Sequence, residues 1–324
     1  MCFHRFRTLP SPPSPPSFGG TILYLSVSKS PSIGGFSDYL ENNNTFTATD
    51  WVSLFERLYA FYLRWSQGEF IEALESSSNI LPLNKAAQLQ QYQIPLGQRQ
   101  ADIYTGLNIL SLLLLINTHA QSQADLNKKI HFYPCGNPDN AEELDRLRLL
   151  KIIGYSECLG AFTFCRKLGD FLSNVNLSNA DLRYANLSNA DLRYADLRYA
   201  NLSNADLSNA YLINSDLSNA DLSNADLSNA YLSFANLSNA DLSNAYLSNT
   251  YFSNAYLINS DLSEADLSFA NLINVNLSNA DLSNTDLAVI RWDQETNWQG
   301  VRGLDTARNV PEALKQQLGL IDNG

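Results

Sequence analysis

Cysteine, histidine and methionine are scarce in this chain of 324 residues, which has four Cys, three His and one Met. The cysteines form no CxxC pair and the histidines are scattered, so the sequence offers neither a zinc-site spacing nor a disulfide framework. It also lacks a glycine-rich phosphate loop and an HExxH motif. We therefore expect free thiols in a reducing compartment, no metal or other cofactor, and a cytoplasmic protein. The four cysteines are Cys2, Cys135, Cys158 and Cys165.

Long hydrophobic runs are also missing. The longest, from Leu107 to Ile116, is interrupted by Asn108 and Ser111 and is shorter than the roughly 20 residues that span a bilayer. The charged residues near Met1 are not followed directly by the apolar stretch of a signal peptide. The sequence therefore predicts no contact with a membrane.

Basic residues are rare in the second half of the chain. Residues 170–287 contain 14 acidic residues and three arginines, a net charge of −11, whereas residues 1–169 contain 14 residues of each sign. Binding to nucleic-acid phosphates needs clusters of Lys and Arg, so we expect no direct binding to nucleic acid. A protein partner with a basic surface fits this charge better.

A large apolar residue occupies every fifth position from Leu172 to Leu287, 24 times in succession, and Phe252 is the one that is not leucine. The residue two places before it is Ala in 17 of 23 copies, as in the segment 205–209, which reads ADLSN. A period of five matches neither an α-helix nor a flat strand. It does match a coil of four five-residue sides, in which these two apolar positions point inward.

Asparagine predominates two places after the leucine, in 17 of 23 copies. A type II turn needs a residue that tolerates positive φ, and Asn does so better than other non-glycine residues. This position therefore predicts the corners of the coil. Six residues depart from the pattern, and we expect them to occupy other turns or to be strained: Tyr184, Tyr194, Tyr199, Phe234, Glu264 and Phe269.

The tandem frame Ala-(Asp/Asn)-Leu-Ser-Asn resembles the pentapeptide-repeat family, whose members form right-handed quadrilateral β-helices. This resemblance implies a rod of about six coils, roughly 29 Å long at 4.8 Å per coil. Residues 302–320 are similar to the tails of cyanobacterial members of the family. The family more often has Gly at the corner, so the asparagines here are a variant of its pattern.

The chain divides into four predicted parts around this rod, which gives a mixed fold class. Residues 1–35 are rich in Pro, Ser and Gly and are predicted to be disordered, and residues 36–168 form a mainly helical domain. The β-helix occupies residues 169–290. Residues 291–324 form a C-terminal cap with a helix that starts near Pro311. Leu314, Leu318 and Leu320 should cover one end of the rod, and the segment from Ile152 to Phe171 the other.

Local patterns predict several elements of the helical domain. Helical spacing predicts a helix from Trp51 to Trp65, and continuous apolar character predicts a buried one from Gln98 to Asn117. The first should be capped by Thr49 or Asp50. The remaining elements are a short helix over Phe70–Leu74, a strand over Lys129–Tyr133, and a helix opened by an Asn140–Glu143 capping box.

Residues 20 apart stack on one face of such a coil, so each face carries a column of side chains. The first column contains Asp181, Asp221, Asp241, Asp261 and Asp281, and the second contains Asp206, Asp226, Asp266 and Asp286. A third column carries the tyrosines Tyr211, Tyr231 and Tyr251. We predict these acidic and tyrosine-bearing faces as the binding surfaces, with the alternative that the acidic residues serve solubility and the turns.

These features favour a non-catalytic protein that acts as a scaffold or binds other proteins. The resemblance suggests one alternative, since quinolone-resistance members of the family mimic DNA and bind type II topoisomerases. A second alternative is an enzymatic or signalling module in residues 36–168. Its candidate nucleophile is Cys135, with His131 four residues before it. The oligomeric state is left open by the sequence.

Overall fold

A computed structural model describes residues 47–69, 98–160 and 163–320 of the chain. Its helices are α1 (Ala48–Ser66), α2 (Gln98–Gln121), α3 (Arg148–Glu157), α4 (Thr163–Leu168) and α5 (Glu312–Gln317), with a 3₁₀ turn at Gly169–Phe171. The described residues all belong to one compact unit. The disorder predicted for residues 1–35 and the helix predicted at Phe70–Leu74 lie outside the described residues. The predicted domain boundaries stay predictions.

Helix α1 begins with a capping box at Thr47, two residues earlier than the first cap proposed from the sequence. The Thr47 hydroxyl accepts from the Asp50 N–H at 3.3 Å, and the Asp50 carboxylate accepts from the Thr47 N–H at 2.9 Å. These bonds satisfy two backbone donors that would otherwise lack partners. One face of the helix is buried, as its periodicity predicts: Trp51, Leu54, Phe55, Leu58, Tyr62 and Trp65.

Helix α2 is the central helix of this helical part and packs against α1, α3 and α4. Its stretch Asp102–Gln121 has the length and hydropathy of a membrane span, but 67% of that stretch is buried inside the protein. Gly106 lets α1 approach closely, because a Cβ atom there would lie 1.8 Å from the Trp65 indole. These contacts are those of a core helix, as predicted for Gln98–Asn117.

Two predicted elements between α2 and α3 are wrong. Residues 129–133 form turns and extended chain without strand pairing, although Ile130 and Phe132 are buried. No helix starts at Asn140: its side-chain oxygen accepts from the Glu142 N–H at 3.1 Å and its amide donates to the Glu143 carboxylate at 2.8 Å, but these bonds close a local turn. The chain continues in turns, and α3 begins at Arg148.

Leucines and alanines fill the interior of the repeat, and parallel bridges join residues 20 apart, from Asn176↔Asp196 onward. Between successive coils the Leu222 N–H donates to the Asp241 carbonyl at 2.7 Å, and the Asp241 N–H donates to the Ala220 carbonyl at 3.0 Å. Each bridge involves a single residue per side, so none of the bridges in the described repeat extends into a longer strand. This pattern is a β-helix-type repeat fold.

Some inward positions carry a hydroxyl in place of the alanine methyl. The Thr250 hydroxyl is buried and donates to the Leu227 carbonyl of the preceding coil at 2.9 Å, and Thr285 bonds in the same way to Leu262 at 2.7 Å. Buried hydroxyls without a partner are costly, so these bonds make threonine compatible with the core.

All six unusual corner residues adopt the same left-handed conformation as the asparagines. Their φ angles lie between 58° and 62°, within the range of 54° to 63° found for the asparagine corners. The expectation that they occupy other turns is therefore wrong. Their positive φ agrees with the other expectation, that the backbone at these corners is strained. Backbone hydrogen bonds to adjoining coils fix each corner, as from the Phe234 N–H to the Ser253 carbonyl at 3.1 Å, so the side chain has to accept this conformation.

Helical segments lie at both ends of the rod. At the N-terminal end the Asp191 N–H donates to the Gly169 carbonyl at 3.0 Å, and the Asp181 N–H to the Arg146 carbonyl at 2.9 Å. Leu168 is fully buried there, in agreement with the cap predicted over Ile152–Phe171. Arg146 extends that cap beyond the predicted segment.

The C-terminal end is covered by fewer residues than predicted. Leu314 of α5 is fully buried, whereas Leu318 is partly exposed and Leu320 is exposed. The Trp292 indole N–H donates to the Gln317 side chain at 2.9 Å and holds α5 in place. Gly319 ends the helix with a φ of 66°, as its position in the sequence suggests.

Candidate interaction surfaces

Stacking of the coils assembles the predicted columns. Successive bridges join Asp181 to Asn201 and continue along the first column to Asp281 and Arg302. The second column continues in the same way to Asp286 and Arg308. Four carboxylates of the first column occupy successive coils: Asp221, Asp241, Asp261 and Asp281.

Each acidic side chain in these columns also forms a local turn. The Asp221 carboxylate accepts from the Ser223 backbone N–H at 3.0 Å and from the Ser223 hydroxyl at 2.7 Å. Asn201 makes the same pair of bonds with Ser203, at 3.0 and 2.8 Å. The turn needs a side-chain oxygen and no charge, so it does not explain why Asp is used in place of Asn.

Arginines pair with carboxylates at both ends of the repeat. In the first coil, Arg183 lies 2.7 Å from Asp181, Arg193 lies 2.6 Å from Asp191, and Arg198 lies 2.6 Å from Asp196. The hydrogen bonds from Arg183 hold the pKa of Asp181 below its ordinary value. At the far end Arg302 lies 3.5 Å from Asp281. The pKa of Asp281 is lowered mainly by its bonds to Ser283, and Arg302 adds to this.

The carboxylates of the middle coils make no ion pair within the described part of the chain. Six of them belong to the two acidic columns, and Asp286 of the last coil also makes no ion pair; the six are Asp206, Asp221, Asp226, Asp241, Asp261 and Asp266. The negative surface is therefore a central band that is bounded by arginines at each end.

The tyrosine column is a stacked ladder. The rings of Tyr211 and Tyr231 lie 5.0 Å apart, those of Tyr231 and Tyr251 lie 4.9 Å apart, and both pairs are 5° from parallel. Phe234 and Phe269, which were predicted as unusual corners but not as part of this surface, are exposed at the two corners bordering this column. Their departure from Asn at corner positions was the signal that could have identified them.

Cys135 is not placed as a nucleophile. Its side chain is 2% exposed, and burial raises the pKa of its thiol to about 11, so the thiol is protonated at neutral pH. The Leu149 N–H at the start of α3 bonds to the sulfur, which gives Cys135 a structural role, whereas His131 is exposed. Among the described residues, no group of three or more His, Cys, Asp or Glu is arranged to hold a metal ion.

Comparison with known proteins identifies the repeat. The family model for pentapeptide repeats matches residues 172–209, 205–244 and 250–287, with eight copies. A pentapeptide repeat protein from the thylakoid lumen of Arabidopsis thaliana is 31% identical over 33% of this chain and 68% of its own, with a TM-score of 0.25. No curated protein sequence matches. This chain belongs to the pentapeptide-repeat family.

Other solved structures are similar over shorter or more divergent stretches. Rfr23, a pentapeptide repeat protein from the cyanobacterium Cyanothece 51142, is 38% identical over 31% of this chain and 64% of its own, with a TM-score of 0.19. QnrB1, a plasmid-mediated fluoroquinolone resistance protein, is 18% identical over 46% of this chain and 90% of its own, with a TM-score of 0.22.

Proposed function

We propose that this chain is a non-catalytic, cytoplasmic protein that binds a basic protein partner through its acidic columns. The rod that presents them is a right-handed, four-sided β-helix of about six coils. One observation carries the proposal: the carboxylates of the central band form turns that asparagine forms equally well, so their charge is not needed for the fold.

This charge has a cost in the free protein. Neighbouring carboxylates of one column, such as Asp221 and Asp241, are about 4.8 Å apart along the rod if they follow the ladder spacing. Two such charges repel by about 0.9 kcal/mol in water. A basic partner would remove this repulsion. Because the serine bonds already hold one oxygen of each carboxylate, little side-chain freedom is lost on binding.

Replacing Asp221, Asp241 and Asp261 by Asn tests the proposal without disturbing the turns. Wild-type protein and the triple variant are immobilised and exposed to the same cell lysate, and captured proteins are identified by mass spectrometry. We expect basic proteins captured by the wild type to be lost from the variant, while its circular dichroism spectrum stays unchanged.

The matched control removes the same charge from exposed positions of the helical part. Asp125→Asn, Glu142→Gln and Glu157→Gln together change the net charge by the same amount, and all three side chains are exposed. This control should keep the captured proteins. Equal loss in both variants would show a general charge effect, and unchanged capture by the column variant would contradict the proposed surface.

Mimicry of duplex DNA toward a type II topoisomerase is a second candidate, favoured by the two adjacent acidic columns. Their seven unpaired carboxylates span four coil spacings, about 19 Å, or one charge per roughly 2.7 Å. Duplex DNA carries one charge per about 1.7 Å, so the match in charge density is partial. A gyrase supercoiling assay tests this candidate, and no inhibition at micromolar protein would eliminate it.

A further inference from the structure

A single aromatic ring, that of Tyr246, interrupts the second acidic column. Bridges join Tyr246 to Asp226 in the preceding coil and to Asp266 in the following coil. Tyrosine occupies this position of the repeat five times, and only Tyr246 has a carboxylate on both sides: Tyr211, Tyr231, Tyr246, Tyr251 and Tyr256. Tyr246 is also the most exposed of the five, at 58%. An exposed ring between two carboxylates combines the two features that recognise an organic cation.

Both faces of the Tyr246 ring are open along the rod. In the neighbouring tyrosine column, the rings of Tyr211 and Tyr231 are stacked 5.0 Å apart and cover each other's faces. Asp226 and Asp266 are shorter than tyrosine, so they do not cover the Tyr246 ring in this way. Each side of the ring therefore has a notch with a carboxylate at its base.

The two carboxylates have an oxygen left for a partner. One oxygen of Asp226 accepts from the Ser228 N–H at 2.9 Å, and one oxygen of Asp266 accepts from the Ser268 N–H at 2.9 Å. Within the described part of the chain, neither carboxylate makes an ion pair. Residues 199–290 contain no Lys, Arg or His, so this stretch of the repeat supplies no cation of its own.

Further negative charge lies beside the notches. Asp241 belongs to the adjacent acidic column of the same coil, and Glu264 lies at the corner between the two columns in the next coil. Glu264 is exposed and accepts from the Asn284 side-chain amide at 2.9 Å, a bond that leaves its charge in place. This unusual corner residue therefore adds to the charge that a cation on the Tyr246 ring meets.

We propose that Tyr246, Asp226 and Asp266 bind an arginine side chain of the basic protein partner. A stacked cation lies within about 6 Å of a ring centroid. The coil spacing is about 4.8 Å, so the same group reaches the carboxylate of the next coil. A guanidinium is planar, so it stacks on the ring while its edge donates two bonds to a carboxylate. An ammonium is more strongly hydrated and gains less from the ring.

This inference rests on the proposed function, and peptides of equal charge separate the two. Labelled hexaarginine and hexalysine are titrated with the full chain, and their dissociation constants are measured by fluorescence anisotropy at one ionic strength. Tyr246→Asn removes the ring without changing the charge. We expect the dissociation constant of hexaarginine to rise about three- to fivefold and that of hexalysine by less than about 1.5-fold.

Tyr256→Asn is the matched control, since Tyr256 is 50% exposed at the same repeat position but lies between Asn236 and Asn276. It should leave both dissociation constants within about 1.5-fold of the wild type, as should Tyr246→Phe, which keeps the ring. Asparagine is already present at this repeat position, so we expect an unchanged circular dichroism spectrum for both asparagine variants.

The possible failures are distinguishable. If Tyr246→Asn leaves the affinity for hexaarginine unchanged, weakens both peptides equally, or has no more effect than Tyr256→Asn, the arginine site is wrong and the acidic columns stand as a binding surface. Equal losses in Tyr246→Phe and Tyr246→Asn would also overturn it, because the ring face would then contribute nothing. If the wild type binds neither peptide, the proposed acidic surface fails together with this site.

Discussion

The corner tyrosines of the first coil provide a direct test of how the repeat fixes its backbone. Tyr184, Tyr194 and Tyr199 have φ angles of 60°, 60° and 58°, in the left-handed region that L-residues other than Asn and Gly avoid. We predict that replacing all three by asparagine, the usual corner residue, stabilises the protein.

The size of this effect follows from two opposing terms. A left-handed conformation costs an ordinary L-residue about 1–2 kcal/mol, and asparagine tolerates it better. The rings are 76%, 58% and 61% exposed, so their removal sacrifices little buried area, and the loss is about 0.5 kcal/mol per site. The net gain is at most about 0.5–1.5 kcal/mol per site, or about 1.5–4.5 kcal/mol for the triple variant if the sites act independently.

Urea unfolding followed by circular dichroism measures the global effect, and hydrogen exchange of the first-coil amides measures it locally. The reverse substitution, Asn204→Tyr in the same corner column as Tyr184, should destabilise the protein by a similar amount per site. If the triple variant gained less than about 0.3 kcal/mol or lost stability, the rings would be making contacts that outweigh the backbone strain, contrary to the prediction.

Three further outcomes are expected. Arg183→Gln should raise the Asp181 pKa toward its ordinary 3.8 in an NMR titration. Because the pKa of Asp181 is lowered in the folded protein, the ion pair stabilises the protein at neutral pH. This stabilisation is lost as the pH falls below about 4 and through the lowered pKa. At neutral pH exposed Cys158 should be alkylated much faster than Cys135, since Cys135 is 2% exposed and burial raises its pKa from 9 to about 11, which leaves about a hundredfold less Cys135 thiolate; comparable rates would show that Cys135 is accessible. Thr250→Val should lower the free energy of unfolding by about 1 kcal/mol in urea titrations, and no change would mean that its bond to the Leu227 carbonyl contributes nothing.

The helical part shows where local patterns are insufficient. The spacing of Trp51, Leu54 and Phe55 predicted α1 correctly, because one buried helix face leaves a periodic signature. The strand predicted at Lys129–Tyr133 failed because the segment pairs with no strand: Ile130 and Phe132 are buried, and the Phe132 ring packs against Tyr62 of α1 at 5.3 Å. A short apolar run indicates burial, but the neighbours that cause the burial come from distant parts of the chain.

The candidate surfaces divide in a similar way. The period of 20 predicted the ladder of Tyr211, Tyr231 and Tyr251, since stacking of equal coils follows directly from the repeat. The sequence did not predict that arginines bound the acidic band at both ends. Arg302 meets Asp281 across 21 residues, after the strict period has ended.

By itself, the sequence determined the repeat fold, its inward leucines and alanines, and the columns on its faces. It did so because each coil repeats the same local frame and contacts only the coils next to it. The tertiary structure alone decided that Tyr194 and Phe234 adopt the same corner conformation as asparagine, since ladders from two neighbouring coils impose the backbone there whatever the side chain prefers. It also decided that the charge of Asp281 is neutralised, because its partner Arg302 lies 21 residues away and after the strict period has ended.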